Sequence, residues 1–219
     1  SIEKQKQIRN DLTIKPVSHG APPGGNSQVS FPAYRESSNK FYVPHYYGVE
    51  NFGAPREYKI GEGINIDLEF AGKLRENQEI VVDTYFNHVK KVGYGGGLLE
   101  LPCAYGKTVL SLNIISRLKK KTFIIVHKEF LMNQWIERIQ QFLPKARIGK
   151  IQGQILDIDD KDIVIGMLQS LSMKEYPTSV FESFGLTIID EVHHISSEVF
   201  SNSLFKLVTK YMLGLSATM

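Results

Sequence analysis

Hydrophobic positions along the chain follow two rhythms, and the change between them falls near residue 70. From residue 74 onward, apolar residues alternate between helical spacing and short continuous runs. "LRENQEIVVDTYFNHVKK" places Ile80, Val81, Tyr85 and Val89 at the three-to-four-residue spacing of one helix face. "GGLLELP" then reads as a strand, "GKTVLSLNIISRLKK" as a helix and "TFIIV" as a buried strand. "EFLMNQWIERIQQFL" is an amphipathic helix with Leu131, Trp135, Ile139 and Phe142 on one side. "ARIGKIQG", "DIVIGM", "FGLTIIDE" and "YMLGLSAT" complete the strands. Apolar strands alternating with helices of this length predict an α/β domain over 71–219, with a mostly parallel sheet covered on both faces.

Residues 1–70 have no such alternation. They are rich in Pro, Gly, Ser and Tyr, and "HGAPPGGNSQ" is a loop by composition. "DLTIKPV", "KFYVPHYYGV" and "GINIDLEF" read as short strands, the last with Ile64, Ile66, Leu68 and Phe70 alternating. These features predict a small, mainly β N-terminal domain with one helix at its start. The aromatic cluster Phe41, Tyr42, Tyr46 and Tyr47 fits either a packed core or a contact surface.

Composition narrows the class. The chain has 219 residues, 42% hydrophobic and 22% charged, as in ordinary globular proteins. No apolar run approaches the roughly 18 residues of a membrane span, so no membrane partner is expected. The polar opening "SIEKQKQIRNDL" shows no signal-peptide pattern. One cysteine, Cys103, rules out an internal disulfide and suits a reducing, intracellular setting. Net charge is +3; residues 1–70 hold eight basic and eight acidic side chains, so the excess lies in 71–219. That bias favours a nucleic-acid partner only weakly.

Candidate chemistry sits at the predicted strand ends, where ligands bind in open α/β sheets. "PCAYGKT" (102–108) follows a strand and opens a helix, which points backbone N–H groups and the positive helix end at an anion. In such a loop Lys107 reaches the β- and γ-phosphates and the Thr108 hydroxyl holds Mg²⁺. The full pattern has glycine at 101, where Leu101 stands, and glycine at 104, where Ala104 stands. If residue 104 needs a positive φ, alanine costs on the order of 1 kcal/mol. By itself the stretch could also be an ordinary strand-to-helix turn. About 80 residues later "LTIID" runs into "DEVHH". Asp190 would bind Mg²⁺, and Glu191 would orient and deprotonate an attacking water. "GLSATM" at the last strand offers small hydroxyl groups near the same edge.

Together these residues resemble the helicases and translocases of superfamily 2. "PCAYGKT" is similar to their motif I, "DEVH" to motif II and "SAT" to motif III. "LRENQ" (74–78) is similar to the Q-motif region, "VHKEFLMNQW" to motif Ia, "KIQG" to motif Ib and "MLQSLS" to a later strand-contacting motif. Within the superfamily the likeness is to the branch of the XPB and UvsW helicases. The front end "YRESSNKFYVPHYYGVENFGAP" with "FAGKLRENQ" resembles helicases of large cytoplasmic DNA viruses, including relatives of the poxvirus transcript-release helicase.

The resemblance implies a RecA-like P-loop domain over 71–219 and a second such domain in cis, beyond Met219. It implies ATP and Mg²⁺ bound by Pro102, Cys103, Ala104, Tyr105, Gly106, Lys107 and Thr108 together with Asp190 and Glu191. Arg75 and Gln78 would serve the adenine side. It implies strand contacts, largely to phosphate, from Lys128, Gln134, Gly153, Gln169 and Ser170. His193 with Ser216 and Thr218 would couple the two sites. The strand-contacting motif often carries a threonine before its Gln-Ser pair; Gly166 and Met167 occupy that neighbourhood here. Trp135 could stack on a base, but its apolar helix face points to core packing.

The expected partner is DNA, single-stranded or branched, with RNA as an alternative. Residues 1–70 would contact DNA or cover a sheet edge. If the protein is viral, its compartment is host cytoplasm or virion. Without a second domain the chain is expected to bind ATP weakly and hydrolyse it slowly. The alternatives are a non-catalytic binding module with a degenerate nucleotide site, and a restriction-enzyme motor, which shares these motifs.

Overall fold

The computed structural model describes residues 1–15, 30–195, 203–205 and 207–217. The chain divides into two compact units, one over 1–58 with 195–202 and one over 59–194 with 203–219.

In the first unit, helix α1 (Ile2–Asp11) is capped by the Ser1 hydroxyl, which accepts from the Lys4 N–H. Strands β1 (Thr13–Ile14) and β2 (Phe31–Pro32) pair antiparallel, as do β3 (Arg35–Glu36) and β4 (Phe41–Tyr42). The expected strand "KFYVPHYYGV" is only half a strand. Pro44 ends it, and helix α2 (His45–Phe52) follows. Arg9 pairs with Glu36 at 2.6 Å and Tyr47 donates to Asp11 at 2.8 Å.

The boundary expected at 70 falls at 58 instead. Residues 59–70 lie along the larger unit. Lys121 N–H donates to the Ile64 carbonyl at 2.8 Å, and Ile66 N–H to that of Lys119 at 3.0 Å. The alternation in "GINIDLEF" is real, with Ile66 and Leu68 buried and Ile64 exposed, but it forms only an isolated bridge, Asn65 to Lys120.

The larger unit carries a seven-stranded sheet. Its strands are β5 (Gly95–Glu100), β6 (Thr122–Val126), β7 (Ile148–Gln152), β8 (Ile155–Asp157), β9 (Ile163–Met167), β10 (Leu186–Ile189) and β11 (Tyr211–Ser216). They lie in the order β5-β11-β10-β6-β9-β7-β8, and all neighbours are parallel except the β7–β8 hairpin. This is the predicted α/β, mostly parallel architecture. Every residue of β6 and of β10 is buried, as a sheet covered on both faces requires. Alternate residues of β6 serve opposite faces. Ile124 and Val126 join the core that contains Trp135 and Ile139, while Phe123 packs against Phe181 and Phe184. A Cβ on Gly166 would come within 2.4 Å of the Phe123 ring, so glycine is what lets that ring lie across β9.

Helix α3 (Glu76–Val92) stops at Gly93, which takes the left-handed conformation, with Lys90 and Lys91 in its last turn. Its buried face is Gln78, Val82, Tyr85, Phe86 and Val89, so Ile80, expected inside, is exposed. Helices α4 (Lys107–Leu118), α5 (Glu129–Phe142) and α6 (Leu168–Met173) follow β5, β6 and β9. Strand β8 and helix α6 were not legible in the sequence. α5 buries Met132, Trp135 and Ile139; of its predicted face, Trp135 and Ile139 are buried while Leu131 and Phe142 are half-buried, and Met132 takes the inward place beside them.

Candidate nucleotide and strand-binding site

Strand order decides which chemistry meets. β11 lies between β5 and β10, so the segments after Glu100, Ile189 and Ser216 emerge side by side. Leu101 N–H donates to the Ser216 carbonyl at 3.1 Å and fixes where the loop after β5 begins.

That loop turns on two left-handed residues, Ala104 (φ 64°) and Gly106 (φ 97°). Residues of alternating hand turn successive backbone N–H groups to one side, an arrangement suited to anions. Pro102, Cys103 and Ala104 are exposed, and Tyr105 N–H donates to the Pro102 carbonyl at 3.2 Å. Gly106 is the N-cap of α4, and no side chain caps that helix end. Lys107 Nζ donates to the Leu101 carbonyl at 3.0 Å, so the position lacking the pattern's glycine supplies a carbonyl that holds the lysine. Thr108 is half-buried at the start of α4.

Arg75 and Gln78 grip this loop from outside. Arg75 Nη2 donates to the Tyr105 carbonyl at 2.6 Å, and Gln78 Nε2 to the same oxygen at 2.8 Å. Gln78 Oε1 accepts from the Arg75 N–H at 3.0 Å, which ties the grip to the α3 cap. Gln78 is 5% exposed. In this structure both residues support the phosphate-type loop, a role sequence reasoning did not assign them.

Asp190 sits at the end of β10. Its Oδ1 accepts from the Glu191 N–H at 3.0 Å, and its Oδ2 accepts from the Trp135 indole N–H at 2.8 Å. Burial pushes the Asp190 carboxyl above the usual range and the Glu191 charge adds to this; the Trp135 hydrogen bond and the charge of Lys107 act the other way. Glu191 takes a left-handed φ of 50°. His193 Nδ1 lies 3.5 Å from Glu191 Oε2 and 3.3 Å from the hydroxyl of Ser216, which is fully buried. The structure thus brings His193 and Ser216 together; Thr218 lies outside the described residues.

Of the predicted strand-contacting residues, Lys128, Gly153, Gln169 and Ser170 follow the ends of β6, β7 and β9, while Gln134 lies within α5. Lys128, the N-cap of α5, and Gln134 within it are exposed, with Lys128 Nζ 5.8 Å from the Phe130 ring centre. Gln169 Nε2 donates to the His127 carbonyl at 2.7 Å, and the Ser170 hydroxyl accepts from the Gly153 N–H at 2.9 Å. Gly153 turns with φ 57°. Lys174 Nζ donates to Gln154 Oε1 at 3.0 Å and to the Gly153 carbonyl; sequence reasoning missed it. Gln169 and Ser170 thus knit three loops together at this edge.

A family model described as Type III restriction enzyme, res subunit, matches residues 71–219. The chain belongs to that family. The res-subunit family brings in the restriction-enzyme motors that share these motifs, and the viral relatives bear out the resemblance to superfamily 2 helicases. A protein of Acanthamoeba polyphaga mimivirus, named as the ATP-dependent RNA helicase L396, is 36% identical over 219 residues, covering 98% of this chain and 41% of its own. Helicase 161L of Invertebrate iridescent virus 6 is 30% identical over 157 residues, covering 70% and 35%. The chain spans about two fifths or less of these curated relatives. Among solved structures, the UvsW helicase of bacteriophage T4 matches with a TM-score of 0.60 and 18% identity, over 99% of this chain and 86% of that one. The Sulfolobus solfataricus SWI2/SNF2 ATPase core in complex with dsDNA matches with a TM-score of 0.56 and 22% identity, over 74% and 35%. At these identities the likeness is one of fold. Among the described residues no helix is long and apolar enough to cross a membrane.

Proposed function

We propose that this chain is the ATP-binding part of a nucleic-acid motor of helicase superfamily 2. The observation that carries the reading is the sheet order, which puts the loop with Lys107 and Thr108 and the segment with Asp190 and Glu191 at the same end of two strands separated only by β11. ATP is the substrate. Backbone N–H groups of the 102–108 loop and the start of α4 bind its phosphates, and Lys107 exchanges the Leu101 carbonyl for a phosphate oxygen. Arg75 and Gln78 hold the loop in shape through Tyr105.

The donor set suits a hard divalent cation. Its candidates are oxygen atoms, the Thr108 hydroxyl and the Asp190 carboxylate, and burial beside Glu191 leaves that carboxylate in need of a positive charge. Mg²⁺, when bound, would neutralise charge on the phosphates. Glu191 orients the attacking water and accepts its proton at Oε1 or Oε2. His193, between Glu191 and Ser216, passes the state of this site to β11.

Lys128, Gln134, Gly153, Gln169 and Ser170 hold one strand, largely by its phosphates. DNA is the strand we propose, supported by the branch resemblance and by the dsDNA complex of a protein sharing the fold. RNA is the second reading, favoured by the names of the mimivirus and African swine fever virus relatives. We place the motor in a reducing, intracellular setting. A second RecA-like domain in cis would complete the ATP site.

Calorimetry with Mg²⁺ and ATP tests the reading. The chain should bind ATP and Lys107→Ala should lose that binding. Equal binding by both would overturn it, and stimulation of hydrolysis by DNA against RNA separates the two strands.

A further inference from the structure

Trp135 is the one tryptophan of the chain and is 1% exposed. Its ring lies in the core on the inward face of α5, as the helix periodicity predicts. A buried indole N–H needs an acceptor, and many backbone carbonyls could serve. Here the acceptor is Asp190 Oδ2, 2.8 Å away and 55 positions along the chain. The other oxygen is held by the Glu191 N–H at 3.0 Å. The carboxylate is thus clamped from two sides, and each oxygen keeps a lone pair. Lys128 caps the start of the same helix and Gln134 lies within it, and both, exposed, are among the residues proposed to contact the strand. Within one turn of α5, Gln134 points outward and Trp135 reaches the acidic end of β10.

We propose that Trp135 is a positioning residue for the nucleotide site, its indole N–H aiming the Asp190 carboxylate and tying it to the strand-contacting helix. The proposal rests on the ATP-driven reading above. A partner that orients a metal-ligating carboxylate is typically worth 10–100-fold in metal affinity or activity. Any displacement of α5 on strand binding moves the donor relative to Asp190 and changes the aim.

Trp135→Phe in the full chain keeps a ring in the core and removes the donor. The Mg²⁺ concentration for half-maximal ATP hydrolysis should rise about tenfold or more, and stimulation by nucleic acid should fall. A purely structural tryptophan would lower the melting temperature and leave the Mg²⁺ dependence where it was; that result, in a folded variant, overturns the proposal. A second measurement needs no variant. Emission of the sole tryptophan should change as Mg²⁺·ADP is added and saturate with the affinity that calorimetry gives. Binding by calorimetry with unchanged emission overturns the proposal and leaves the ATP reading standing. No binding of nucleotide by the unmodified chain removes both.

Discussion

Ala104 holds a left-handed backbone (φ 64°) that glycine would hold without strain. The cost of alanine there is about 1 kcal/mol. Replacing it with glycine relieves that strain but frees the unfolded chain by a compensating ~0.4–1 kcal/mol. The two terms nearly cancel. Ala104→Gly should therefore leave the melting temperature close to that of the parent, and ATP affinity should change by no more than about twofold; a large gain in affinity would mean that alanine disables the loop. Gly106 is different. At φ 97° a Cβ is strained and would sit 2.6 Å from Gln78 Nε2, the atom that holds the Tyr105 carbonyl. Gly106→Ala should destabilise by about 1–3 kcal/mol and weaken ATP binding as the grip of Gln78 is displaced. Denaturant melts beside calorimetry check both. The sequence showed which residues would form the loop because their types are dictated by backbone chemistry. It could not show that Arg75 and Gln78 meet at Tyr105, since that contact spans 27 to 30 positions and carries no local signal. Trp135 shows the same limit, because its apolar helix face was legible while its acceptor was not.

At the scale of elements, helices and buried strands were legible wherever one periodicity ruled a long stretch. α3, α4 and α5 and the strands β6, β9 and β10 follow from spacing alone. The failures are where local and distant forces compete. Pro44 turns an aromatic run that reads as strand into the cap of α2. Residues 63–70 alternate cleanly yet bond mainly to loop carbonyls, so burial is satisfied without a ladder. Element ends also carry pins that only the structure reveals. Asp162, 6% exposed, precedes β9 and accepts from Arg147 N and Nε at Oδ2 (2.9 and 3.0 Å) and from Nη2 at Oδ1 (2.7 Å). Arg147 precedes β7, and the pin sets Ile148 beside Ile163. Burial alone would raise the Asp162 carboxyl, but the Arg147 side-chain and backbone hydrogen bonds and its charge outweigh burial and hold it low. A carboxyl depressed in the folded state adds stability above its unfolded pKa and loses it as pH falls through the folded value. Asp162→Asn should thus cost about 1–3 kcal/mol at pH 7, towards the lower end because Arg147 is largely exposed. The gap to the parent should close below about pH 4. Urea melts at pH 7 and pH 3 measure it; a gap independent of pH would deny the pin its charge.

For the whole molecule, the sheet order divides labour between two edges of the same surface. On the proposed reading, the segments after β5, β11 and β10 carry the nucleotide chemistry and those after β6, β9 and β7 the strand contacts. The sequence supplied both sets but not their arrangement, because strand order is a long-range property. If that reading holds, residues that carry charge to the strand are separate from residues that hold the surface in shape. Lys128 is exposed at the start of α5 and should neutralise a phosphate. Ser170 holds the Gly153 N–H and should act through the β7–β8 turn. Salt dependence tells these roles apart, since each phosphate neutralised adds about 0.7–0.9 to the slope of log affinity against log salt. Lys128→Ala should lower the slope by that amount while leaving the melting temperature near the parent's. Ser170→Ala should weaken binding at every salt concentration with the slope preserved, and should change stability little, because the Gly153 N–H is exposed and water can replace the hydroxyl. Fluorescence-polarisation titrations of a labelled single strand from 50 to 200 mM salt would read both. A loss of slope in Ser170→Ala would move that residue from the supports of the surface to its contacts.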